Sequence, residues 1–192
     1  MTAGNLLDNE RDEAFWDWLE GFPQALADVL QDDGFRRYLA WEESRLPSLR
    51  QELAGEWQKT DHVLFCCGQA YALPHERVCA VVNPVKRAGA TDCHLQGGTL
   101  YCTSGCFRAE SVIHECLHLA VHPHRNSLRE LALAHQESWP DVDASYNLAG
   151  SEDGWMNAFE EYAVRCLTDR VMTGQTPELR RFLATLAKPT SV

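Results

Sequence analysis

Thirteen consecutive residues, Val112 to His124 (VIHECLHLAVHPH), carry four histidines and one glutamate. Their spacing constrains the backbone before anything else does. Residues four apart lie about 40° apart around an α-helix, so a helix brings His114 and His118 onto one face, where both reach one ion. Glu115 then falls about 100° from His114 and about 60° from His118, near enough to approach a water on that ion without ligating it. Ile113, Leu117 and Ala120 take the other side and anchor the helix in a core. Two imidazoles, a neighbouring carboxylate base and an apolar back are what metal-assisted hydrolysis needs. H-E-x-x-H is a short pattern that also arises by chance. Here it follows a β-rich stretch and lies on an amphipathic one, the context in which it carries chemistry.

The rest of the chain supplies that context. Phe15, Leu19, Phe22, Leu26, Val29 and Leu30 recur at helical spacing over residues 10–31, and a second helix is expected from Phe35 to Trp57 with a break at Pro47. The tone then changes. HVLFCCGQAYAL and RVCAVVNPV are rich in β-formers, KRAGATD reads as a loop, and HLQGGTLYCTS holds a further strand after a turn at Gly97-Gly98. Helix resumes from Phe107 to His122 and ends near Pro123. A second segment starts at Asn126 or Ser127, with Glu130 in the capping-box position. WMNAFEEYAVRCLTDRVM and TPELRRFLATLA, opening at Thr176 and Pro177, complete the helical part. The expected fold class is α+β in one domain over 1–192. It comprises N-terminal helices (1–58), a small mixed sheet of three or four strands (62–104), the metal helix (107–124) and a C-terminal helical part (126–187).

Composition narrows the partners. Lys+Arg of 17 against Asp+Glu of 28 gives a net charge of −11, which repels phosphate backbones and anionic membranes. Neither a nucleic acid nor a membrane is an expected partner. The N-terminus lacks the basic and apolar regions of a signal peptide, and no stretch approaches the roughly 20 apolar residues of a membrane span. The expectation is a cytoplasmic protein whose eight cysteines are buried thiols rather than a disulfide scaffold. Cys102 and Cys106, the closest approach to a metal-binding pair, have no matching second pair.

Two histidines do not complete a metal site, and three residues compete to be the third ligand. His124 stands where the metzincin pattern H-E-x-x-H-x-x-G-x-x-H has its last histidine. That pattern needs a sharp turn at the glycine, and this sequence has β-branched Val121 there. The three-histidine stretch of bacterial rRNA-maturation endoribonucleases is similar in spacing, but it has the same glycine and lacks the glutamate. His122 extends the helical stripe, but ligands from three successive turns diverge over about 12 Å. Its place suits the C-terminal end of the helix dipole. Glu160 is the third. On a wheel of about 100° per residue, Met156, Ala163, Val164, Leu167 and Val171 all fall within about 60° of it. A carboxylate in the middle of an apolar stripe costs several kcal/mol unless a partner such as a metal ion neutralises it. Glu161 points toward Asn157, Arg165 and Thr168 and pairs with Arg165 at i+4.

With HECLH (114–118) followed by FEEYA (159–163), the chain resembles the gluzincin group of zincin metallopeptidases over residues 62–172. That resemblance implies Zn2+ held by His114, His118 and Glu160, with Glu115 as general base in peptide-bond hydrolysis. It also implies a tyrosine or histidine donor to the oxyanion, for which Tyr146, Tyr162 and His135 are candidates, Tyr146 first. The strand before the metal helix, Thr99, Leu100, Tyr101 and Cys102 within GTLYCTS, is implied to be the sheet edge on which a peptide substrate pairs. Two other classes stay open. One is a metal-dependent hydrolase of RNA or a non-peptide amide that uses His124. The other is a non-catalytic protein whose helices a metal staples. Substrate specificity and oligomeric state are not written in the sequence.

Overall fold

The structure, a computed structural model, describes residues 20–83, 86–88, 90–138 and 152–188. Helices, a small sheet and further helices follow one another, so the α+β class expected from the sequence is observed. The chain divides into two compact units, Met1–Trp57 and Gln58–Val192.

The first unit holds helix α1 (Phe22–Gln31) and the earlier part of helix α2 (Asp33–Tyr71). None of its described residues is buried, and the apolar stripe of α1 is exposed at Phe22, Leu26, Val29 and Leu30. The break expected at Pro47 is absent, because α2 runs through it. An exposed proline removes one backbone donor, and the helix-favouring residues on either side, Glu42 to Leu46 and Leu49 to Glu52, carry the helix across.

In the second unit the later part of α2 corrects another expectation. HVLFCCGQAYAL is helical as far as Tyr71, not a strand. Thr60, Leu64 and Cys67 are buried at intervals of four and three, a helical stripe that overrides the β-propensity of the individual residues. The sheet consists of β1 (Arg77–Val82), β2 (Thr91–Gln96) and β3 (Thr99–Ser104) in the order β1-β3-β2. β1 runs parallel to β3, and β2 antiparallel to it. Gly97 and Gly98 have φ of 53° and 73°, the left-handed values a two-residue type I′ hairpin requires. Part of the segment read as a loop, from Thr91, belongs to β2.

Helix α3 (Ala109–Val121) packs against β2, β3 and helix α5 (Glu152–Met172). After it come two 3-10 turns, His122–His124 and Asn126–Leu128, and the short helix α4 (Arg129–Ala134). The expected capping box does not form. Asn126 and Ser127 lie inside a 3-10 turn, where the Ser127 hydroxyl donates to the His124 carbonyl at 2.7 Å. Helix α6 (Leu179–Ala187) starts slightly later than expected, with the Glu178 carboxylate accepting from the Arg180 and Arg181 amides at 3.1 and 2.8 Å. Ile113, Leu117 and Val121 of α3 meet Phe159, Val164 and Leu167 of α5 in one buried cluster. Among the described residues no helix is long and apolar enough to cross a membrane.

The connection from β3 into α3 is tight at Gly105. A Cβ there would overlap the Lys86 carbonyl and lie 2.8 Å from the Ala88 amide nitrogen, both backbone atoms that cannot swing aside. Gly105→Ala is expected to destabilise the chain by about 1–3 kcal/mol, measured as a lowered urea midpoint at unchanged slope.

Candidate metal centre

Helix α3 presents His114 and His118 on the face that meets α5. Their Nε2 atoms are 3.2 Å apart. The third group is Glu161, whose Oε2 lies 3.5 Å from His114 Nε2 and 3.4 Å from His118 Nε2. These atoms form a nearly equilateral triangle, and His114, His118 and Glu161 are the one group of metal-ligating type found among the described residues. Four ligands at about 2.0–2.1 Å around a tetrahedral ion are separated by about 3.3–3.4 Å. The triangle has that size, so the residues present fit one small divalent ion with the fourth corner free.

Glu160, the third ligand expected from the wheel, is not at this triangle. Its Oε1 is 3.0 Å from Nδ1 of His118, on the far side of the ring from Nε2. Its Oε2 is 3.0 Å from His122 Nδ1 and 3.6 Å from Arg125 Nη1. The wheel assumed one buried arc on α5, whereas Ala158, Phe159, Glu161 and Thr168 are buried as well as the expected stripe. The helix is enclosed on most sides, so both carboxylates are inside, at 8% and 6% exposure. The pairing of Glu161 with Arg165 is nonetheless present, Arg165 Nε donating to Oε1 at 2.8 Å and leaving Oε2 for the triangle. Glu160 therefore has the place of a carboxylate behind a ligating histidine, which fixes the tautomer and aims the lone pair of Nε2.

Burial and charge oppose each other here. Burial would raise the Glu161 carboxyl, but the bonds to His114 and His118 hold it far below the usual carboxylate range. Burial would likewise raise Glu160, and the bonds from His118 and His122 bring it down. Burial would lower His118, yet the two carboxylates, Glu160 foremost, push it up to about 9. Glu115, at the mouth of the site, is raised by burial, with His118 and His114 opposing. A cleft of about 540 Å³ opens over these groups. Its lining includes His114, Glu115 and Glu161, the helix-start residues Arg108 and Ser111, and Thr91 at the beginning of β2.

Other expected residues fall elsewhere. His124 is carried past the site because Val121 keeps helical angles (φ −79°, ψ −43°) and the chain makes no sharp turn. His122 does not ligate but holds Glu160. Arg125 donates to Asn157 Oδ1 at 2.6 Å and ties the segment after α3 to α5. Thr99, Leu100, Tyr101 and Cys102 are not at a sheet edge. β3 is the central strand, paired on both sides, because the hairpin folds β2 outside it. The edge strand beside α3 is β2. Tyr146 lies outside the described residues. Tyr162 packs against the core, and His135 follows α4 without joining the cluster. Cys102 and Cys106 do not form a pair. The Cys106 thiol donates to the Ala88 carbonyl, and Cys102 faces Cys93. The cleft also holds two arginines with no role expected from the sequence there, Arg108 immediately before α3 and Arg165, the i+4 partner of Glu161.

No family model matches the chain, and neither a curated protein nor a solved structure is similar enough to count as a match.

The two glutamates separate cleanly by experiment. Glu161→Ala is expected to abolish stoichiometric uptake of a divalent ion offered to the purified chain. Glu160→Ala is expected to keep the site but weaken it about 10- to 100-fold, as loss of a carboxylate behind a ligating histidine does. Chelator competition on the purified chains distinguishes the two, and equal losses would contradict the assignment. The pH dependence has a definite sign. His118 of the metal-free chain stays protonated up to about 9, and an ion at Nε2 must displace that proton. Affinity for a divalent ion should therefore rise with pH by about tenfold per unit between pH 6 and 8. Calorimetry in two buffers of different ionisation enthalpy should show one proton released.

Proposed function

We propose that this chain is a zinc-dependent peptidase, with His114, His118 and Glu161 as the protein ligands and Glu115 as general base. The single observation that supports it most strongly is the triangle of two imidazole nitrogens and one carboxylate oxygen with edges of 3.2–3.5 Å beside a half-buried glutamate. Two nitrogens and one oxygen with a free fourth corner is a catalytic zinc set. When bound, the ion supplies Lewis acidity, which acidifies a water and polarises a carbonyl.

The chain's own residues do the remaining work. Glu160 accepts from Nδ1–H of His118, so the lone pair of that ring is presented at Nε2. Arg165 holds one oxygen of Glu161 and leaves the other to ligate. Glu115, raised by burial, is placed to take a proton from water and hand it to the departing amine. Thr91 puts the start of edge strand β2 at the cleft, where an extended peptide could add as a further strand. The order along the chain, H-E-x-x-H on one helix and a glutamate from a later one, is that of the gluzincins, which supports a zincin-like reading of the α+β fold. The ligating glutamate is one residue later than the resemblance suggested.

Glu115→Gln tests the proposal without dismantling the site. The variant is expected to bind one zinc as the parent does and to hydrolyse a quenched fluorescent peptide library at least about 100-fold more slowly. Zinc retained in both chains with no hydrolysis by either would favour a metal that only staples α3 to α5.

A further inference from the structure

Behind the metal helix lies a stack of thiols that the proposed hydrolysis does not use. Cys93 of β2 and Cys102 of β3 are directly opposite in the antiparallel register, and the Cys93 thiol donates to the Cys102 sulfur at 2.7 Å. Cys116 of α3 and Cys67 of α2 are buried in the same core cluster as Cys102. All eight cysteines are free thiols. The three innermost are sealed. Cys102 is 1% exposed, and Cys67 and Cys116 are fully buried. Cys93 is half-buried on the edge strand, so a small oxidant reaches it first.

We propose that Cys93 and Cys102 form a redox modification site, oxidised to a cross-strand disulfide by a peroxide. Opposed residues of an antiparallel pair have Cα atoms about 4.5–5.5 Å apart, inside the range of about 4.4–6.8 Å that a disulfide spans. The strands need not move. The Cys93 thiol passes its proton along the bond to the Cys102 thiolate and its sulfur attacks the peroxide; an S–O bond forms as the O–O bond breaks, and the departing hydroxide takes the proton back from Cys102 and becomes water. Cys102 then attacks the Cys93 sulfenic sulfur; the S–S bond forms, the S–O bond breaks, and a second water leaves. Two thiols lose two protons and two electrons, and the peroxide is reduced to two waters. Cys102 suits the resolving role. The S–H bonds from Cys116 and then Cys93 favour its thiolate over the thiol, outweighing burial, and His75 and His94 add to the effect. Cys116 also faces Cys102, but it is enclosed and no oxidant meets it. The bond joins the edge strand to the central strand two residues from Thr91, where the cleft begins.

The test needs neither metal nor hydrolysis, so its outcome is separate from that of the peptidase reading. The full chain is treated with hydrogen peroxide, denatured in an alkylating agent and mapped by fragment-ion mass spectrometry. The expected product is lighter by two hydrogens, keeps six alkylated cysteines and links Cys93 to Cys102. Cys106→Ser should give the same bond, whereas Cys93→Ser, checked for parental circular dichroism, should give none at Cys102. A bond from either residue to another cysteine would overturn the proposal. So would Cys93 accumulating as sulfinic acid while Cys102 stays alkylatable. Mapping of the unmodified chain decides the matter even if the variant does not fold.

Discussion

Two adjacent carboxylates inside a helix, Glu160 and Glu161, govern this structure. An isolated buried carboxylate costs several kcal/mol, and a pair of like charges in neighbouring positions costs more. The chain offsets this with His118, which stands between them and contacts Glu160 through Nδ1 and Glu161 through Nε2. His114 supports Glu161, and His122 with Arg125 supports Glu160. Packing of α3 on α5 and assembly of the site are consequently one event. The apolar contacts of Ile113, Leu117 and Val121 with α5 bring the imidazoles to the carboxylates, and the imidazoles make burial of the carboxylates tolerable. The same arrangement puts His114 and Glu161, two corners of the triangle, in the lining of the cleft.

The helix α3 therefore has three distinct jobs, divided around its circumference. His114 and His118 meet the carboxylates of α5, and His114 and Glu115 line the cleft, while Ile113, Leu117 and Val121 fill the core. Cys116, on the side away from His114, reaches the sheet through Cys102. Each part depends on the connection before the helix. Gly105 lets the chain pass close to the backbone at Lys86 and Ala88, and without that approach α3 would start at a different angle to β3.

The helical part of this plan was largely legible, because helical periodicity is a strong signal where one face is buried. His114, His118 and the apolar stripe of α5 came directly from spacing. The choice between Glu160 and Glu161 did not, since a wheel ranks residues by a single buried arc and α5 is buried nearly all round. The stretch from His62 to Leu73 misled for a related reason. Its Val, Phe and Tyr content favours a strand, but the spacing of Thr60, Leu64 and Cys67 favours a helix, and tertiary packing decides for spacing. Strand order lay beyond the sequence altogether. GTLYCTS precedes the metal helix in the chain, yet the Gly97-Gly98 hairpin places β2, not β3, at the edge.

That last point alters how a substrate would meet the site. A central strand has no free backbone groups, so pairing along Thr99 to Cys102 is impossible without taking the sheet apart. Among the described residues no strand pairs with the outer edge of β2, which begins at the cleft. Antiparallel β2 also carries Cys93, which ties substrate-side geometry to the thiol stack. Its side chain points inward to Cys102 between the exposed Asp92 and His94, as the alternation of a strand dictates. A bond there holds β2 in register with β3 without occupying the outer edge. The edge and the oxidisable pair are thus separate faces of one short strand, and chemistry at one leaves the hydrogen-bonding groups of the other in place.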